Sequence, residues 1–355
     1  MQIEIVPVWR FRKSDAAPPM TVMLDFLNEI RATGKITRAA EQAGISYRHA
    51  WNLIEKWSDF FEAPLVERQR GKGTSLTPFG ERLVWAGQRL QARLMPQLAN
   101  LIHELEAELV EFLPKATTEI RAHASHGFAV EELQRILDRQ GDMVFDLRYV
   151  SNETSLAALK RGDCDLAGMH LPQGPLRKEA VDMTRALLGD ENYSVINFVT
   201  REMGLMVQRG NPLRIKSVAD LKSPGLRFVA RDPASGTAQL LQQILAQSDM
   251  RAEDIGGGRQ TTFEFTHAAV AAYVASGMAD ASFGVEAAAR KFGLEFLPLL
   301  TEDYVFVCRD TLLKTDAMAR VTEAMQSSEF KKAVDGLPGY HADSPGISQP
   351  ASSVF

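Results

Sequence analysis

A chain of 355 residues, 45% hydrophobic and 24% charged, is too long for one core and has the composition of an ordinary globular protein of two or three domains. No segment approaches the roughly 18 uncharged apolar residues of a membrane span, and the first ten residues carry an acid and no long apolar core, unlike a secretion signal. The two cysteines, Cys164 and Cys308, fit a reducing compartment better than a disulfide framework, so the expected location is the cytoplasm.

The net charge of -5 is unevenly divided. From Arg31 to Arg93, 11 Lys and Arg stand against 6 Asp and Glu, a balance of +5 that leaves -10 for the remainder. Attraction to phosphate is concentrated in that one segment.

In chain order, residues 2–12 alternate through Ile3, Ile5 and Val8 as an edge strand would, and a soft linker over 14–19 follows. Residues 20–31 read as an amphipathic helix carrying Met23, Leu24, Leu27 and Ile30, ended at Thr33 and Gly34. Next come two short helices at a tight turn. Ala39, Ala40 and Ala43 keep the first slim, Gly44 supplies backbone freedom, and Ser46 caps the second. Ala50, Trp51, Ile54 and Trp57 form its apolar stripe, leaving Tyr47, Arg48, His49 and Asn52 on the other side. A recognition helix presents such polar residues to base edges in its first turn, where Arg48 suits guanine and Asn52 adenine. The run from Pro64 to Thr77 then predicts a hairpin with a glycine-containing basic tip, on which Arg68, Arg70 and Lys72 suit phosphate or minor-groove contact.

These residues, with Leu65-Val66-Glu67-Arg68, Leu76-Thr77 and Gly80-Glu81-Arg82-Leu83, resemble the winged helix of the molybdate-responsive ModE regulators, and more broadly LysR-type regulators, over about residues 20–112. The resemblance implies a double-stranded DNA operator read by Ser46, Tyr47, Arg48, His49 and Asn52, with the wing basics on the backbone.

From 78 to 112 little breaks a helix except Pro96, which should kink or split it. Leu83, Leu90, Leu94, Leu98, Leu101, Leu105 and Leu109 lie along one stripe, and a helix of roughly 50 Å cannot bury it on one small domain. A homodimer or homotetramer would. The expected organisation is therefore a mainly α winged helix-turn-helix domain over 1–77, a long linker and dimerisation helix over 78–116, and an effector domain over 117–341, with a disordered tail over 342–355.

Within 117–341, strand-like and helix-like stretches alternate, which predicts parallel strands with helical crossovers. Residues 159–170, 211–221, 227–237 and 274–284 resemble the α/β two-lobed type II periplasmic-binding fold. That resemblance implies lobe I over 117–198 and 304–341, lobe II over 199–303, and ligand in the cleft between them. Ser235, Gly236 and Thr237 at a helix start form the strongest anion site, because free backbone N–H groups lie beside the positive end of the helix dipole. Ser125 and His126, and Asn152, Glu153 and Thr154, precede or begin helices in the same way. His267 begins another, and His170 closes a strand. Each loop singly is better explained as a cap; three or four at corresponding positions together predict a cleft.

No catalytic constellation, metal site or cofactor motif is expected. His123 and His126 have no third ligand nearby, Ser235 lacks a nucleophile elbow, and both cysteines sit in apolar runs. The sequence therefore reads as a transcriptional regulator answering to a small anion. Resemblance to FdsR-like regulators of formate dehydrogenase operons suggests formate, and resemblance to ModE suggests molybdate or tungstate. The competing class is an enzyme or solute-binding protein with an accessory helix-turn-helix.

Overall fold

The computed structural model describes residues 3, 5–7, 11, 21–69, 73–109, 118–141, 143–189, 192–258 and 262–355. The chain divides into two compact units, Glu4–Gln91 and Ala92–Phe355 with Met1–Ile3. The soft linker expected over 14–19 lies outside the described residues. The edge strand expected over 2–12 does so in part, and Ile5, Val6, Pro7 and Phe11 are not in a strand. Phe11 instead sets its ring edge-on against Phe61 at 5.2 Å.

The N-terminal unit comprises α1 (Thr21–Thr33), α2 (Ile36–Gln42), α3 (Tyr47–Phe61), the antiparallel pair β1 (Val66–Gln69) and β2 (Gly73–Leu76), and the first turns of α4 (Pro78–Leu109). Its core is small. Met23, Leu27 and Ile30 of α1 meet Ala39 and Ala40 of α2 and Ala50, Ile54 and Trp57 of α3, and the alanines let the helices approach. Gly44 holds φ at +64° with open space around it, so the turn needs glycine for conformation rather than for room. Gly73, at φ +96°, needs both: a Cβ there would lie 2.4 Å from the Gly34 carbonyl, to which Thr74 N–H donates at 2.9 Å. This bond fastens the tip end of the hairpin to the residue that closes α1.

Helix α4 runs unbroken through position 96 for 32 residues, so Pro96 does not split it. Met95, Leu101, Leu105 and Leu109 are exposed along it. The boundary expected near 114–118 falls mostly on residues 110–117, outside the described set.

The C-terminal unit follows as β3 (Glu119–Ala124), α5 (Phe128–Gln140), β4 (Val144–Tyr149), α6 (Asn152–Arg161), β5 (Leu166–Pro172), α7 (Arg177–Leu188) and β6 (Tyr193–Val207). Then come β7 (Phe228–Arg231), α8 (Gly236–Gln247), β8 (Thr262–Glu264), α9 (His267–Ala275), β9 (Ala281–Val285), α10 (Glu286–Lys291) and β10 (Glu295–Arg309), with α11 (Asp316–Gln326), α12 (Ser328–Asp335), β11 (Tyr340–His341) and β12 (Ser348–Pro350) at the end. The sheet order is β4-β3-β5-β10-β6-β9-β7-β8. Pairs within each outer group are parallel, as the alternation implies. The all-parallel expectation fails at the centre: β6 and β10 run antiparallel to each other, β6 also to its other neighbour β9 and β10 to its other neighbour β5. These two 15-residue strands pass from one lobe to the other, and Glu302 is registered against Arg201 on them.

The tail is not disordered. Ser348–Pro350 pairs with β6, and Phe355, 4% exposed, joins the cluster of Leu156, Leu188 and Val195, its carbonyl accepting from Arg185. A Ser/Pro-rich composition conceals the final aromatic anchor that orders it.

Candidate functional site

In the N-terminal unit the turn from α2 leads into α3 through Ser46, whose hydroxyl accepts the His49 amide at 3.2 Å. Tyr47, Arg48, His49 and Asn52 are all exposed, because Ala50, Ile54 and Trp57 turn the opposite face into the core. Arg68 on β1 lies 4.6 Å above the Trp51 ring, which ties the hairpin's first cation to the exposed edge of α3. Arg70 and Lys72 lie outside the described residues.

In the C-terminal unit a cleft of about 460 Å³ opens between the lobes. Ser125, His126, Asn152, Glu153, Thr154, His170, Ser235, Gly236, Thr237 and His267 all line it. The helix starts are arranged as the spacing suggests, but most hydroxyls are engaged. Ser235 accepts the Ala238 amide and donates to the Asp232 carbonyl at 2.6 Å. The cap of α6 is Ser151, which accepts from Thr154 N–H, while Thr266 caps α9. Ser235 therefore has little left to offer a ligand, and it also takes up the amides of Ala238 and Gln239, so what remains at this helix start is the backbone of Gly236 and Thr237.

Charged residues that the sequence reading passed over line the same cleft. Arg201 and Glu302 are both buried and paired at 2.7 Å. Burial opposes the Arg201 charge, but Glu302 beside it prevails and raises its pKa. Arg231, at the end of β7, is buried too, and only its Nη2 has a partner, the Phe265 carbonyl at 2.8 Å. Its Nε and Nη1 have none among the described residues. Burial first, and then the Arg201 charge, pull its pKa down to about 9, so it remains protonated at neutral pH.

The histidines are neutral neighbours of these cations. Burial, followed by Arg201 and Arg231, holds His170 well below the ordinary value of 6.5. Burial acts the same way at His267, with Arg231 next and then Arg201. His170 lies against Tyr304 with ring centroids 4.0 Å apart. Gly168 makes room for that phenol, since a Cβ would come 2.9 Å from its hydroxyl. Gly284 does the same for His267, where a Cβ would lie 2.8 Å from Nδ1.

Cys164 and Cys308 are buried, and burial pushes both thiols up to about 12, as befits core residues. Among the described residues no group of three His, Cys, Asp or Glu could hold a metal ion, and no helix is long and apolar enough to cross a membrane.

Residues 134–326, more than half of the chain, match the PBP superfamily domain family. The chain belongs to that family. Ahead of the PBP-like domain, residues 23–81 match the bacterial regulatory helix-turn-helix protein, lysR family. Relatives divide along the same line. Uncharacterized protein YvgK of Bacillus subtilis strain 168 is 31% identical over 194 residues, 54% of this chain and 61% of its own length. Transcriptional regulator ModE of Yersinia pestis is 39% identical over 88 residues, 24% of this chain and 33% of its own length. The matches thus span less than two thirds of either relative. Among solved structures, full-length BenM has a TM-score of 0.44 at 16% identity, covering 90% of this chain and 99% of that one. The Corynebacterium glutamicum OxyR C206 mutant gives the same TM-score and identity over 92% and 95%.

The loops at helix starts in the PBP-like domain carry a sequence signal because small hydroxyl residues and glycine must stand there. Arg201, Arg231 and Glu302 carry none, since a charge within a strand looks the same in sequence whether it is solvated or buried.

Proposed function

We propose that this chain is a DNA-binding transcriptional regulator whose PBP-like domain binds a small anion, and that the anion changes operator occupancy. The observation that carries the effector half is Arg231: a buried guanidinium with two N–H-bearing nitrogens unpartnered among the described residues, facing a cleft flanked by helix N-termini. A buried cation left uncompensated is costly, and a carboxylate accepting from both nitrogens would offset that cost. This favours a planar monoanion, with formate as its smallest member; 460 Å³ also admits larger carboxylates.

The lysR-family helix-turn-helix match and the exposed polar first turn of α3 support the DNA-binding half. The exposed apolar stripe of α4 supports a homodimer or homotetramer that places two α3 helices on one operator. The relatives named ModE favour a second reading, a molybdate-like oxyanion, although their similarity covers only 24% of this chain.

The test is operator binding by the full chain, measured by fluorescence anisotropy at fixed salt, with sodium formate or sodium molybdate added. A saturable change in operator affinity with one of them supports the regulator, and the anion that acts distinguishes the two readings. Operator affinity indifferent to both, or turnover of a bound anion, contradicts it.

A further inference from the structure

The cleft has a wall that comes from neither lobe. Arg93, Gln97 and Asn100 of α4, spaced by four and three residues and hence on one face of the helix, all line it. This stretch is fastened on both sides. Asn100 Nδ2 donates to the Tyr149 carbonyl at 3.4 Å, and the Tyr149 amide donates to Asn100 Oδ1 at 3.2 Å. One side-chain amide thereby satisfies both backbone groups at the end of the edge strand β4 in lobe I. On the lobe II side, the Thr266 hydroxyl donates to the Ala92 carbonyl at 3.1 Å, and Arg93 lies 3.6 Å from the buried carboxylate of Glu264.

Pro96 explains why the Ala92 carbonyl is available. In a regular helix that carbonyl would accept from the amide of residue 96, and proline has no N–H to give. Thr266, the cap of α9, supplies the missing donor. A residue that reads in sequence as a helix breaker thus exposes an acceptor for lobe II without ending the helix.

We infer that residues 92–100 of α4 are a strap across the effector cleft, forming a third wall for the bound anion and tied to both lobes. The inference rests on the reading that the cleft binds an anion. A ligand at Arg231 then meets Gln97 and Arg93 as well as the lobes, and any change in lobe separation acts on a helix fastened to both. That helix is covalently continuous with the unit carrying α3.

The test uses the full chain as wild type, Asn100→Ala, Gln97→Ala and Arg231→Met, with hydrogen exchange without ligand and calorimetric titration with sodium formate and sodium molybdate. In Asn100→Ala the Tyr149 amide is expected to exchange roughly tenfold faster, the loss of one to two modest hydrogen bonds. Asn100→Ala and Gln97→Ala are each expected to change affinity for the anion that binds by about threefold or more, again the scale of one lost hydrogen bond. Unchanged exchange at Tyr149 overturns the strap, and wild-type affinity in both α4 variants overturns the wall. If neither anion binds the wild type, or if Arg231→Met binds normally, the anion reading fails and the wall with it; exchange at Tyr149 still decides the strap.

Discussion

Arg231 carries the proposed anion site, because among the described residues its buried Nε and Nη1 have no hydrogen-bond partner and only the charge of the adjacent Asp232 acts in its favour. Replacing Arg231 by methionine removes this buried cation while keeping the aliphatic stem. Arg231→Met is therefore expected to abolish anion binding yet stabilise the ligand-free protein by about 1–2 kcal/mol in denaturant unfolding; a less stable variant would show that the Phe265 bond and the nearby Asp232 charge outweigh the cost of burying the guanidinium. His170 and His267 make a second prediction. Their folded pKa values are lowered, so each stays neutral in the native state while the unfolded chain takes up a proton below about 6.5. Stability is then fully present above pH 6.5 and falls below it, by up to about 1.4 kcal/mol per pH unit for each histidine. His170→Asn and His267→Asn should each flatten the fall between pH 6.5 and 5; thermal scans with unaltered slopes would count against buried neutral imidazoles. At the DNA face, Arg48→Ala is expected to cost about 1–3 kcal/mol of operator affinity at fixed salt and leave anion affinity untouched. Residue-scale legibility was uneven for a physical reason. Loops at helix starts announce themselves by composition, whereas the Arg201–Glu302 pair joins positions 101 residues apart, a proximity that no local pattern encodes.

At the scale of elements, α4 carries two faces of different character. Its polar stripe belongs to the cleft, while Leu101 and Leu105, 48% and 42% exposed, present an apolar stripe to solvent. Leu101→Glu with Leu105→Glu is expected to shift the protein to monomer in sedimentation velocity and to weaken operator binding at least tenfold through lost bivalency; an unchanged oligomer would place the interface elsewhere. The helix was legible from its leucine spacing. The hinge strands were less so. Asn197, Arg201 and Glu202 interrupt the apolar run of β6, and Pro298, Glu302 and Asp303 divide β10 into two apparent strands, although register shifts at Pro298/Leu300 and Tyr304/Val305 let one strand continue. Charges that pair with each other across a central ladder resemble loop in sequence, because the compensation lies on another strand. The short strands β3, β5 and β9, with one face or both apolar, gave no such trouble, whereas the three-residue β8 is too short to show a pattern.

For the whole molecule, net charge does not follow the division of folds. The lysR-family match over residues 23–81 sets 8 Lys and Arg against 8 Asp and Glu, and the PBP-like match over 134–326 sets 22 against 25, so an anion there needs a local cationic site rather than a diffuse field. The decisive measurement is calorimetric titration of the full chain and its Arg231→Met variant with sodium formate, molybdate and sulfate in parallel. Saturable binding of one of these anions, formate first, is expected, together with its loss in Arg231→Met. Equal binding by the variant, or no heat from any of the three, would contradict an anion site at Arg231.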